Sequence, residues 1–296
     1  MDKSEKLLAH LASGKLLLAD GATGTMLQEW GLPLGMPPER WNLEKPEKII
    51  ALHRAYIEAG SQIVLTNTFG GTHLKLGRAG HADIMAEANR TAARLAQEAA
   101  GPDVFVAGDL GPSGELLAPY GDLTYEEAVA AFAEQAAALA EGGVDCFWVE
   151  TMMSLDEAKA AIQGAQQASS LPVFCTLSFG PAGRTMMGVT PEKAIQELWP
   201  LGLAAVGGNC GQGPEEMVAT IRRFAATGLD AVLIAKPNAG MPRLVNDQQV
   251  YDMSPADMAR HMQSCVEAGA QVIGACCGST PAHVRAIAQS VKRQTS

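Results

Sequence analysis

The sequence predicts a (β/α)8 barrel, one α/β domain over residues 1–296, on three observations. Short apolar segments alternate with segments of helical periodicity, eight of each, which is the repeat of that barrel. The apolar segments are continuous rather than alternating, as parallel strands covered on both faces should be. Nearly all of them end in a polar residue or a cysteine beside glycine or proline, and barrel strands deliver functional groups to the mouth from such ends. Two domains are compatible with the length, and a doubly wound open sheet is the alternative architecture. No low-complexity linker interrupts the chain, however, and the longest irregular stretches, 28–45 and 179–190, read as loops of one domain.

Taken in order, the first strand is the run from Lys15 that stops at Asp20 and the glycine-rich turn Gly21-Ala-Thr-Gly-Thr25. Pro46 opens a helix whose apolar positions Ile49, Leu52, Tyr56 and Ala59 recur every three or four residues, and Gly60 closes it. The second strand covers 63–69, and a helix over about 82–99 leads to the third strand at 104–112. Thr124 caps a helix running to Glu141, the fourth strand spans 145–151 and carries Glu150, and Ser154 with Glu157 forms a capping box for the next helix. Strands at 172–178, 203–208, 231–235 and 271–275 complete the barrel. Between and after them, helices begin at Pro191, span 214–227 and 254–268, and begin again at Thr280-Pro281.

The chain is 47% hydrophobic with a net charge of −10, so a core is available, while nucleic acid or an anionic membrane surface offers it no electrostatic gain. The first residues contain no signal-peptide core and no segment reaches about 18 uninterrupted apolar residues, so a cytoplasmic protein is expected. Six cysteines in 296 residues do not make a disulfide framework. Cys146, Cys175 and Cys265 lie in apolar or helical surroundings and read as buried, inert thiols.

The remaining cysteines carry chemistry. The stretch from Gln271 to Thr280 runs an apolar strand into Cys276-Cys277-Gly278. Neighbouring cysteines cannot bond to each other without strain, whereas Zn2+ takes thiolates tetrahedrally and, in catalytic sites, typically three protein ligands. Cys210, in Gly207-Gly-Asn-Cys-Gly211, repeats the same pattern of small residues, cysteine and glycine, and is the candidate third ligand. One such cysteine alone would read as core packing; three at converging strand ends read as a metal site. The glycine-rich turns have a competing reading as phosphate cradles, which the cysteines weaken, and Gly21 to Thr25 lacks the lysine of a P-loop.

Asp20, Asn67, Asp109, Glu150, Ser178, Asn209, Lys236 and Asn238 also terminate strands. Asp20 and Glu150 have no close basic neighbour in sequence and would suit a ligand ammonium, the plainer reading being ordinary barrel-mouth carboxylates. A zinc ion with three thiolates is a poor Lewis acid for hydrolysing carbonyls but a good anchor for an incoming thiol, which loses its proton there. The expected chemistry is attack by a substrate sulfur on an electrophilic carbon.

Asp20-Gly-Ala-Thr-Gly-Thr25, Thr66-Asn-Thr-Phe69, Glu150-Thr151, Gly207-Gly-Asn-Cys210, Lys236-Pro-Asn-Ala-Gly240 and Gly274-Ala-Cys-Cys-Gly278 together resemble the motifs of the homocysteine S-methyltransferase family, in order and over almost the whole chain. The resemblance implies that Cys210, Cys276 and Cys277 bind zinc, and that these three with Glu150 form the catalytic set. It further implies that Asp20 and Glu150, with backbone at Gly21, Ala22 and Ala275, hold the amino-acid end of homocysteine, that Asn238 stands near the metal, and that Asn209 belongs to the substrate set. Methionine would be the product.

The methyl donor is expected to be a small onium compound, betaine or a sulfonium, because Gly183-Arg-Thr-Met-Met-Gly-Val-Thr190 resembles bacterial betaine-type members. The alternative is a separate methyl-corrinoid protein, as Lys236-Pro-Asn-Ala-Gly240 also reads like the methionine synthase module. Nothing in the chain resembles a cobalamin module, and it stops at Ser296 without the C-terminal extension of the animal betaine enzymes. Tyrosines of those enzymes' donor cage correspond to Gly70 and Thr151, which leaves Trp30, Trp41 and Tyr120 as candidate cage aromatics. A zinc-binding barrel without turnover is a third reading. Oligomeric state is left open.

Overall fold

The structure is a computed structural model that describes residues 1–211, 213–245 and 248–292. Its first element is one that the sequence analysis had not assigned. Helix α1 (Lys3–Ala12) starts at a capping box in which Asp2 and Glu5 exchange side-chain and backbone hydrogen bonds, and it buries Leu7 and Leu11. These two leucines join Leu17, Ile63, Trp148, Phe174 and Val272 in one apolar cluster, so α1 plugs the end of the barrel opposite the site described below.

The strands follow as β1 (Leu17–Leu18), β2 (Ile63–Leu65), β3 (Phe105–Leu110), β4 (Cys146–Met152), β5 (Val173–Leu177), β6 (Ala205–Cys210), β7 (Leu233–Pro237), the hairpin β8 (Arg243–Val245) and β9 (Gln248–Val250), and β10 (Ala270–Ile273). Eight of them form one parallel sheet in the order β1, β10, β7, β6, β5, β4, β3, β2. A parallel bridge between Ala19 and Ile63 joins its two edges, so the sheet closes as the (β/α)8 barrel that the sequence predicts. The helices are α2 (Gly24–Glu29), α3 (Trp41–Glu44), α4 (Pro46–Ala59), α5 (His73–Arg78), α6 (Met85–Ala100), α7 (Tyr125–Gly142), α8 (Leu155–Ala168), α9 (Pro191–Leu198), α10 (Pro214–Ala225), α11 (Pro255–Glu267) and α12 (Pro281–Lys292).

Helix faces follow the sequence periodicity: α4 buries Ile49, Leu52, Tyr56 and Ala59 against the sheet, each large apolar side chain contributing about 1.5–3 kcal/mol. Cys146, Cys175 and Cys265 are buried, as expected, and burial pushes the thiols of Cys175 and Cys265 up to about 12. Strand ends differ from expectation where polar residues turn inward. The second strand stops at Leu65 rather than 69, because Thr68 N–H bonds to Thr66 O at 2.9 Å and starts a turn. The sixth and seventh strands run on to Cys210 and Pro237, in register with each other. The 28–45 stretch is not wholly irregular, since it holds α3 and a short 3-10 turn, and the β8–β9 hairpin lies in a loop the sequence left unassigned.

Candidate functional site

The three candidate metal ligands meet because β7 holds both of the turns that carry them. Cys210 pairs with Pro237 at the end of the β6–β7 ladder. Beyond β10, Cys276 N–H donates to Pro237 O at 2.8 Å, and Ala239 N–H donates to Cys277 O at 2.9 Å. Adjacent cysteines would diverge along a strand; in this turn both face Cys210, with Sγ of Cys210 and Cys276 2.8 Å apart. All three sulfurs lie within 4.8 Å of one another, the one such ligand cluster among the described residues. The Cys210 and Cys276 thiols donate to Cys277 and hold it well below an ordinary thiol, at about 3, so the cluster already carries a thiolate. Three sulfurs at this spacing fit zinc, whose tetrahedral thiolates at ~2.3 Å from the metal stand about 3.8 Å apart.

Backbone strain is concentrated beside the sulfurs. Cys210 has φ 53° and Thr151 φ 62°, in the left-handed region, where a β-branched residue is a genuine outlier. Each such residue costs roughly 1–3 kcal/mol and persists only when its surroundings hold it. Asn209 supplies that hold: its carboxamide oxygen accepts from Thr151 N–H at 2.9 Å and its NH2 donates to Thr151 Oγ1 at 2.7 Å. The same NH2 lies 4.0 Å from Cys276 Sγ. Asn209, expected in the substrate set, is fully buried and engaged with Thr151, while Thr151 rather than Asn209 lines the cavity.

The expected ammonium-binding carboxylates are placed differently from what their sequence neighbourhood suggests. Asp20 and Glu150 lack basic neighbours in sequence, but β7 inserts the buried Lys236 between them, its Nζ 3.1 Å from Asp20 Oδ1 and 3.8 Å from Glu150 Oε2. Asp20 Oδ2 accepts from Leu65 N–H at 2.8 Å. Asp109 joins the cluster from β3, with its Oδ1, Asp20 Oδ1 and Glu150 Oε2 receiving no hydrogen bond. Burial raises the Asp20 carboxyl against the pull of Lys236, lifts Glu150 to about 7, and pushes Asp109 well up, with Glu150 adding to the last. Burial alone would lower Lys236, but Asp20 and Glu150 outweigh it and keep the ammonium charged. Three buried carboxyls around one ammonium leave a deficit of positive charge.

These groups face a cavity of about 520 Å3, lined by Gly21, Ala22, Asp109, Glu150, Lys236 and the three cysteines. Ala22 N–H donates to Ser279 Oγ at 3.0 Å and Ala275 N–H to Asp20 O at 3.0 Å, so both are engaged within the protein. Asn238 stands behind the Cys210 turn, donating to Gly211 O at 3.0 Å, with its buried Oδ1 unpartnered. The candidate cage aromatics are not there. Trp41 is buried in the outer core, Trp30 packs against that core, and Tyr120 is 73% exposed, none of them lining the cavity. The reason is local: Trp41 opens α3, and its side chain faces the packed interior rather than the mouth. The rings that do line the cavity are Phe69, at the end of the quoted Thr-Asn-Thr-Phe motif, and Tyr251, whose ring a side chain at Gly278 would overlap.

Sequence reasoning gave Asp109 and Lys236 no role, though both were visible as strand-end polar residues. Glu39 and Lys75, which also line the cavity, had no signal at all. Glu39 is buried through a contact that no local pattern announces, its Oε1 accepting from Gly70 N–H at 2.5 Å.

A family model described as homocysteine S-methyltransferase matches residues 17–291. Methionine synthase from Mycobacterium leprae is 33% identical over 305 residues, covering 97% of this chain and 25% of the relative. Methionine synthase from Mycobacterium tuberculosis is 33% identical over 302 residues, covering 96% of this chain and 25% of its own length. The chain thus spans about a quarter of the length of the curated relatives it matches. Among solved structures, the metallated form of the homocysteine methyltransferase MmuM from Escherichia coli is similar with a TM-score of 0.79 at 22% identity, covering 95% of this chain and 98% of that one. A methyltransferase from Methanosarcina mazei reaches 0.67 at 14% identity, with 99% of both chains covered. At those identities the structural likeness is one of fold.

Proposed function

Since the chain belongs to the homocysteine S-methyltransferase family, we propose that it transfers a methyl group from a small onium donor, of betaine or sulfonium type, to the sulfur of homocysteine and releases methionine. The single observation that carries this reading is the convergence of Cys210, Cys276 and Cys277 in the same cavity as the acid-rich cluster. Zinc held by the three cysteines would supply a positive charge that makes an incoming thiol give up its proton at neutral pH.

The chain's own residues do the rest. Asp20 and Glu150 hold the homocysteine ammonium, drawn by the deficit of positive charge around Lys236. Glu150, at about 7 in the free protein, becomes fully ionised when a cation arrives beside it. Gly21 and Ala22 border the cavity where the amino-acid end lies. Asn209, through Thr151, keeps Cys210 and Glu150 in the strained geometry that aims both at one point. The sulfur lone pair forms the new carbon–sulfur bond. The donor's bond to the methyl carbon breaks with its electron pair remaining on the donor's nitrogen or sulfur, which becomes neutral.

A second reading has the methyl group arrive from a separate methyl-corrinoid protein. It is favoured by the methionine synthase relatives, of which this chain covers only a quarter. Zinc-loaded protein should be incubated with homocysteine and, in separate arms, glycine betaine, dimethylsulfoniopropionate, S-methylmethionine or a methyl-corrinoid protein, with methionine measured by mass spectrometry. Methionine from a small donor is the expected result. Methionine from the corrinoid arm alone overturns the small-donor reading. No helix among the described residues is long and apolar enough to cross a membrane.

A further inference from the structure

One cation in the cavity has no partner in the chemistry above. Lys75, on α5 just beyond β2, extends over Phe69 with its Nζ 4.2 Å from the ring centroid, and both residues line the cavity that holds the cysteines. Its stem is constrained by two glycines: a Cβ at Gly70 would lie 3.4 Å from Lys75 Cδ, and one at Gly114 would lie 3.8 Å from Cγ. The side chain is half-buried, yet unlike Lys236 it makes no ion pair among the described residues. The acids that influence it most are engaged elsewhere. Glu39 accepts from Gly70 N–H at 2.5 Å, and Glu157 accepts from Ser113 N–H at 2.9 Å and from its hydroxyl at 2.6 Å.

A half-buried ammonium resting on an aromatic face without a counter-charge is a receptor for an anion. Within the cavity it is also the one cation not already shared between carboxyls, since Lys236 is held by Asp20 and Glu150. A carboxylate cannot settle near the sulfurs, where Asp20, Asp109 and Glu150 would repel it, so Lys75 is the place left for one.

We infer that Lys75 binds the carboxylate of the methyl donor, so that the enzyme takes zwitterionic onium donors in preference to onium cations that lack a carboxylate. This rests on the small-donor reading and narrows it. The discrimination works in both directions. A zwitterion draws the ammonium off Phe69 onto its own carboxylate and frees the ring face for its onium methyls. A bare cation must compete with that ammonium for the same ring, against like charge.

The test compares dimethylsulfoniopropionate with trimethylsulfonium, and glycine betaine with choline, in wild-type, Lys75→Met and Lys75→Arg proteins, with folding checked by thermal melting. Wild type should favour the carboxylate-bearing member of each pair by roughly 10- to 100-fold in kcat/KM, the factor for one charge-assisted hydrogen bond. Lys75→Met should remove most of that preference by raising the KM of the carboxylate donor, leaving the KM of homocysteine unchanged, while Lys75→Arg keeps the preference. An unchanged preference in Lys75→Met, or a rise in homocysteine KM instead, overturns the inference while the small-donor reading stands. If wild type makes methionine only with a methyl-corrinoid protein, the small-donor reading fails and the inference falls with it.

Discussion

The ammonium of Lys236 lies 3.1 Å from Asp20 Oδ1, with both side chains almost wholly buried, and so ties the seventh strand to the end of the first across the mouth of the barrel. The other oxygen of the same carboxylate takes Leu65 N–H at 2.8 Å, which extends the tie to the second strand. A residue pair far apart in sequence therefore does structural work at the point where the sheet closes.

Lys236→Met leaves that carboxylate buried without its cation and should destabilise the protein by about 3–5 kcal/mol, the cost of breaking one partner out of a buried pair. Lys159→Met, which breaks the exposed contact to Glu197, should cost less than about 1 kcal/mol. Urea unfolding of both variants measures the contrast, and equal losses would mean the buried pair has no special weight.

One zinc per chain is expected by elemental analysis, lost in Cys276→Ser and retained in Cys146→Ser and Cys175→Ser, whose thiols are buried away from the cluster. Retention of full zinc by Cys276→Ser would remove that cysteine from the ligand set.

Glu150→Gln should raise the KM for homocysteine by the equivalent of about 1.5–3 kcal/mol, the worth of a charge-assisted hydrogen bond, with a smaller effect on kcat. The carboxyl lines the cavity and has an oxygen without a hydrogen bond, which is the observation behind the expectation. A fall in kcat at unchanged KM would show that Glu150 moves a proton instead.

His53 sets a pH dependence of stability. It is 1% exposed on α4, its Nε2 receives no hydrogen bond, and burial lowers it from 6.5 to about 4. Its folded value is depressed, so between 6.5 and about 4 the unfolded chain takes up a proton that the folded chain refuses. Stability present above pH 6.5 is lost as pH falls through that window, by on the order of 3 kcal/mol. Denaturant midpoints at pH 7.5 and 5 should differ less in His53→Leu than in wild type; an equal difference would assign the acid sensitivity to other groups.

The sequence by itself determined the barrel and the metal centre, for reasons that are local. Continuous apolar runs and helical periodicity are properties of consecutive residues, and so are the Gly-Asn-Cys and Ala-Cys-Cys-Gly turns that end strands β6 and β10; once the sheet is parallel and closed, those ends must converge. What the tertiary structure alone decided is who stands beside whom within the mouth. Lys236 neutralises Asp20 and Glu150 although neither has a basic neighbour in sequence, and Asn209 clamps Thr151 rather than facing the cavity. Trp41 turns into the core while Phe69 and Lys75 border the cavity in its stead. Such partnerships depend on strand register and on the paths of loops between strands, which set side-chain distances to within an ångström and leave no periodic trace along the chain.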